Sequence, residues 1–260
     1  MNTQKLIFLL IGVALGFAAG FWLANGINRG EQEKLRAELT RLRAEAAKNA
    51  QEQGARGGQA GGDGAIPTLT EAQLRAAVER ADANPSDAKL QQMSGQALYV
   101  YAREKGNAAI IPDVVRILRR AHDIEPKNLT TTTMLGDALY LLAQTTGETS
   151  HLPEARKFYG QVLAQKPDEV YVRTSLGLTY FYDKPSDPRA AIREYRKALK
   201  IDPRHEATLQ GMVAALAAAG EVSEAEESLR LLEEVNASNP EIANLRAQLA
   251  QRKNAGGERE

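Results

Sequence analysis

Between residues 86 and 240 the apolar positions recur in blocks of helical spacing. Val114, Leu118 and Ala121 stand four and then three residues apart. Ala155, Tyr159 and Val162 repeat that spacing, as do Ala191, Tyr195, Ala198 and Ala225, Leu229, Leu232. Such spacing places one face of a helix against its neighbours. Each block follows another helical pattern, around Gly95 and Leu98, Gly136 and Leu139, Gly177 and Tyr180, and Val213 and Leu216. Pro85, Pro126 and Pro167 punctuate the pairs at 126 − 85 = 41 and 167 − 126 = 41 residues. Gly95, Gly136 and Gly177 each lie ten residues after a proline. A fixed period between about 20 and 50 residues marks stacked repeats. The pattern predicts an all-α chain of helix pairs.

The N-terminal third has different patterns. Residues 1–5 form a short tail. Leu6–Ala24 carries no charge, and about 20 such residues span a bilayer core as a helix. Trp22 lies near its far end, where an indole suits the interface. This predicts one transmembrane helix; a cleaved signal peptide ending at Ala18-Ala19-Gly20 is the alternative. Gly12, Gly16 and Gly20 share one face, a spacing that permits close helix association in lipid. Residues 31–53 place Leu35, Leu39, Leu42 and Ala46 on one narrow stripe. They read as a juxtamembrane helix, either a short homodimeric coiled coil or a solvated stalk. Residues 54–66 contain six glycines and no large apolar residue before Ile66, so they read as a flexible linker. The folded domain is expected over 67–253. It comprises a leading helix at 70–83 with Thr70 as N-cap, about four repeats at 86–240, and a capping helix at 241–253. Residues 254–260 read as a disordered tail.

The motifs Leu135-Gly136, Leu176-Gly177-Leu178-Thr179-Tyr180 and Ala191-x3-Tyr195-x2-Ala198-x4-Pro203 resemble the tetratricopeptide repeat family. The resemblance implies a right-handed superhelical α-solenoid whose first helices line a concave groove. Its unit is about 34 residues, so the first two repeats need seven more. These would sit between the paired helices, as KGNAAIIPD and TTGETSHLPE, with Pro112 and Pro153 opening the second helices at their first position. Gly95, Gly136, Gly177, Ala155, Ala191, Ala198 and Ala225 would be the small residues where helices meet. The family's groove positions fall on Tyr99, Tyr140 and Phe181, on Gln92, Thr133 and Thr174, on Gln96, Asp137 and Leu178, and on Tyr171. Lysine and asparagine are missing from the positions that would clamp an acidic chaperone tail.

Composition narrows the function. Lys+Arg and Asp+Glu are equal at 33 each, which gives no basic excess for nucleic acid. The absence of cysteine excludes disulfides, thiolate metal sites and cysteine nucleophiles. His122, His151 and His205 lie in different repeats without metal-ligand spacing. No catalytic triad or phosphate loop is present, so no enzyme, cofactor or metal is expected. The expected role is a membrane-tethered scaffold or chaperone for a peptide or protein partner.

The layout of anchor, linker, leading helix and repeats resembles the accessory proteins of bacterial cytochrome c maturation. That resemblance implies apocytochrome c or haem-lyase components as partners. An adaptor for envelope assembly, a translocon or a secretion system is the alternative, and a regulator of an associated enzyme a further one. The expected location is the inner membrane, single-pass. The repeats are expected in the periplasm, with the basic start acting as an export signal; the cytoplasm is the alternative, if Arg29, Lys34, Arg36, Arg41 and Arg43 set the orientation.

Overall fold

The computed structural model describes residues 68–257. The predicted span at 6–24 with Gly12, Gly16 and Gly20, the predicted helix at 31–53, and the predicted linker at 54–66 lie outside them. Among the described residues no helix is long and apolar enough to cross a membrane. They are helical throughout, with no strand, and fall into two compact units that meet in sequence at Gly147 and Glu148.

The first unit holds α1 (Glu71–Ala83), α2 (Ala88–Lys105), α3 (Ile111–Ile124) and α4 (Leu129–Thr146). Thr70 caps α1 as expected. Its Oγ accepts from the Gln73 N–H at 3.2 Å, and Gln73 Oε1 accepts from the Thr70 N–H at 2.9 Å, a reciprocal capping box. Asp87 and Asn128 cap α2 and α4 by their side chains alone, accepting from the Leu90 N–H at 2.9 Å and the Thr131 N–H at 3.1 Å. Gln91 is fully buried; its amide donates to the carbonyls of Ala81 and Asn84 at 2.6 and 2.9 Å. It thereby satisfies orphan carbonyls at the end of α1. Leu98, Val114, Ile117, Leu118 and Leu135 form the core, all fully buried.

The extra residues of the first repeat are not a long loop. Val100, Tyr101 and Ala102 are buried, so the apolar face continues and α2 extends to 18 residues. Gly106 then ends it in the left-handed region at φ 63°, where glycine carries no steric penalty. A single 3-10 turn, Ala108–Ile110, leads into α3. Pro112 is therefore the second residue of α3, not the first. The helix starts on Ile111, which is 1% exposed. Pro153 is likewise the second residue of its helix, which begins at Leu152.

The second unit holds α5 (Leu152–Gln165), α6 (Val170–Phe181), α7 (Pro188–Ile201), α8 (Glu206–Ala219), α9 (Val222–Val235) and α10 (Ile242–Gly257). Each helix packs on the next, and α6, α8 and α10 also pack in succession, as in repeat proteins whose units touch only neighbours. Here α6 has 12 residues, and its link to α7 is held by Arg156. That guanidinium donates to the Thr179 carbonyl at 3.1 Å, pairs with Asp183 at 2.7 Å and lies 4.9 Å from the Tyr180 ring centre. Ile242, Leu245 and Leu249 of α10 are buried. That helix runs to Gly257, beyond the predicted boundary at 253.

Candidate functional site

The small residues sit where helices cross. A Cβ on Gly95 would lie 2.7 Å from Leu118 Cδ2, and one on Gly177 would overlap the Tyr195 ring. Gly136 is buried, and Ala155, Ala191, Ala198 and Ala225 are fully buried. All seven residues are buried.

The first helices of the first unit, α2 and α4, pack side by side. Gln92 and Gln96 on α2 and Thr133 and Tyr140 on α4 are half-buried. Gln144 Nε2 donates to the Tyr140 hydroxyl at 2.5 Å. Tyr99 is only 2% exposed and Asp137 is buried beside it. The Arg103 guanidinium lies 5.7 Å from the Tyr99 ring centre and pairs with Glu104 at 2.9 Å. Burial, and then the Asp137 charge, hold the Tyr99 phenol far above the ordinary tyrosine range. Gln92, Gln96, Thr133 and Tyr140 thus bring amides, a hydroxyl and one ring to this face, while Tyr99 and Asp137 are withdrawn into the interior.

The second unit divides its predicted groove residues differently. Tyr171 and Phe181 are half-buried, and Phe181 meets Tyr182 edge to face at 5.1 Å. Burial, with a smaller contribution from Glu241, raises the Tyr182 phenol. Thr174 and Leu178 are buried. The Thr174 hydroxyl spends its donor and acceptor on Val170 O at 2.8 Å and Thr208 Oγ at 2.7 Å. Thr208 Oγ also meets His205 Nδ1 at 2.5 Å. Thr174 thus joins α6 to α8 in the packed interior. On α8, Gln210 donates to Asn239 Oδ1 at 2.9 Å, and Asn239 and Asn236 both donate to Glu206 Oε1.

Arg103, Arg156 and the Glu206–Asn239 network carry no repeat signature, and the sequence reading did not single them out. Arg103 follows Tyr99 by four residues, which is the one clue to it. No group of three or more potential metal-ligating side chains occurs among the described residues.

The fold defines a helical-repeat protein. Residues 185–249 match the model of the tetratricopeptide repeat family. The chain is also similar to the solved structure "MamA 41-end from Desulfovibrio magneticus RS-1", with TM-score 0.53 and 18% identity, covering 78% of this chain and 97% of that one. A crystal structure of MamA gives TM-score 0.50 and 18% identity, covering 63% and 86%. At such identity the likeness shows the fold. A search of curated protein sequences finds no match.

Proposed function

We propose that the protein is a scaffold that binds a peptide or protein partner on the first-helix faces of its repeats. The α2–α4 face carries the reading: Gln92, Gln96, Thr133 and Tyr140 stand half-buried on adjacent helices, aromatic and hydrogen-bonding together. Aromatic anchors supply much of the energy in many interfaces. Tyr171 and Phe181 extend the same role to the second unit. In its narrower form the scaffold is single-pass in the inner membrane, tethered by residues 6–24, with its repeats in the periplasm. There it presents apocytochrome c to a haem lyase. The order of predicted segments supports that form.

Deletion followed by haem staining tests the pathway, and loss of c-type cytochromes is expected. Normal cytochromes, with translocon or secretion subunits co-purifying instead, would move the scaffold to another assembly. A C-terminal reporter active only after export tests the orientation. Tyr140→Ala tests the face itself. Its folding should be unchanged while co-purification of the partner falls by roughly tenfold or more, the scale of an interface hot spot. Equal recovery would remove Tyr140 from the site.

A further inference from the structure

We propose that the outward face of α7 is a docking surface for an anionic phospholipid bilayer. Arg189, Arg193, Arg196 and Lys200 follow one another at four, three and four residues. At 3.6 residues per turn they fall on one line along the helix, about 16 Å from end to end. The opposite side is the one that packs, since Ala190, Ala191, Tyr195 and Ala198 are all buried. The line of cations therefore points to solvent.

Most of this charge is unpaired. Arg189, Arg193 and Lys200 are exposed and have no ion-pair partner among the described residues. Only Arg196 is engaged, with Glu224 at 2.7 Å and Glu221 at 3.6 Å. The helix contains one acid, Glu194, which is held off the line by Arg173 at 3.2 Å and Lys197 at 2.6 Å. With Lys197 counted, α7 carries 5 − 1 = 4 net positive charges in 14 residues.

Fold stability does not account for this arrangement. Arg189 stands in the first turn, at the positive end of the helix dipole, where an acid is favourable and none is present. Arg189 with Arg193, and Arg196 with Lys200, are like charges four residues apart, a spacing that weakens a helix. An external anionic surface relieves both effects.

Two features select a bilayer over a packed protein partner. The line contains no aromatic or apolar residue, the kind of anchor that dominates protein interfaces. A fluid anionic surface needs no shape match, and each Lys or Arg brought near it strengthens attachment about fivefold. Beside Lys200, Ile201 is 39% exposed and so stands ready to meet the headgroup boundary. The choice of occupant also rests on the reading of residues 6–24 as an anchor, which would keep the repeats close to such a surface.

The chain has no cysteine, so Ile201→Cys carries a single bimane reporter. Full-length protein is reconstituted into phosphatidylcholine vesicles containing a headgroup-nitroxide lipid, with or without about one third phosphatidylglycerol. Quenching should be roughly threefold or more deeper in the anionic vesicles, and about half-molar salt should abolish the difference. Arg189→Gln, Arg193→Gln and Lys200→Gln together, all at exposed positions, should abolish it too. Equal quenching in both vesicles, or a difference that the triple variant keeps, would overturn the proposal. Binding of soluble poly-glutamate without headgroup quenching would replace the bilayer with an acidic polypeptide. An alkaline carbonate wash reads the anchor separately. Protein retained through the wash without charge-dependent quenching leaves the anchor and removes the docking. Charge-dependent quenching of protein that the wash releases leaves the docking and removes the anchor.

Discussion

The ring of Tyr195 occupies the space that a side chain on Gly177 would need. The same ring also abuts Gly211, where an added Cβ would lie 2.7 Å from Cζ. One tyrosine on α7 is thereby clasped by two glycines, on α6 and α8, and is fully buried. Helix propensity alone would make Gly177→Ala stabilising by about 1 kcal/mol. Overpacking a filled core costs about 1–3 kcal/mol, and here the obstacle is an aromatic ring with no free space around it. The expected outcome is a net loss, with a melting temperature lower by a few degrees, at about 2–4 °C per kcal/mol. Gly160 in α5 is exposed and has nothing within 4 Å of an added Cβ. Gly160→Ala should shift the melting temperature upward. Thermal unfolding followed by circular dichroism compares the two, and shifts of the same sign would refute the packing account.

Tyr195 has a second consequence. Its hydroxyl is buried with no hydrogen-bond partner among the described residues. Burial pushes its ionisation well above the ordinary tyrosine range. A buried unsatisfied hydroxyl costs about 1–3 kcal/mol, so Tyr195→Phe should leave stability unchanged or raise it by about 1 kcal/mol. Denaturant unfolding decides this. A clear loss of stability would mean the hydroxyl is hydrogen-bonded after all.

Gly95, Gly136 and Gly177 were legible in sequence because their 41-residue recurrence exposes them. Tyr195, whose ring lies against Gly177 and Gly211, was read only as one position of a stripe, and Gly211, at 211 − 177 = 34 residues, falls outside that recurrence. Periodicity says which residues face inward but not which neighbour each one meets. Thr174 shows the same limit. Its place in the register assigns it to the groove, whereas its hydroxyl is taken up by Val170 and Thr208. The length of α2 was hidden for a different reason. Gly106 and Asn107 look like the middle of a loop, although an apolar face continues as far as Ala102 and allows another helical turn. Arg156 lay outside any pattern, since its partners Thr179 and Asp183 are 23 and 27 residues away.

The leading helix makes a pH-dependent contact. Asp82 on α1 pairs with Arg116 and, at 2.6 Å, with Arg120 on α3. Its hydrogen bond from Arg116, with help from Arg120, holds the carboxyl below the usual aspartate range. A carboxyl lowered in the folded state stabilises above its unfolded value, near pH 4. That stability is lost as pH falls through the folded value. The partners are about a third exposed, so solvent screening keeps the contribution under about 1 kcal/mol. Asp82→Asn should therefore lower the melting temperature slightly at pH 7, and the difference from wild type should shrink steadily as pH falls below the unfolded value near 4. A difference that persists undiminished in acid would show that the charge is not its source.

The last relationship is the grip of Tyr101 on Leu69. One hydroxyl serves both the N–H and the carbonyl of a buried residue, so Tyr101→Phe leaves two backbone groups without that partner. Each lost bond is worth about 0.5–1.5 kcal/mol. The capping box of Thr70 and Gln73 stays in place, as do the buried contacts of α1 through Leu74, Ala77 and Ala81. The effect should therefore remain local. Hydrogen exchange at the Leu69 amide should quicken by roughly tenfold, the equivalent of about 1.4 kcal/mol of lost local stability. Amides in the middle of α2 and α3 should exchange at their wild-type rates. Unchanged exchange at Leu69 would assign the pin to burial of the leucine side chain rather than to the tyrosine hydroxyl.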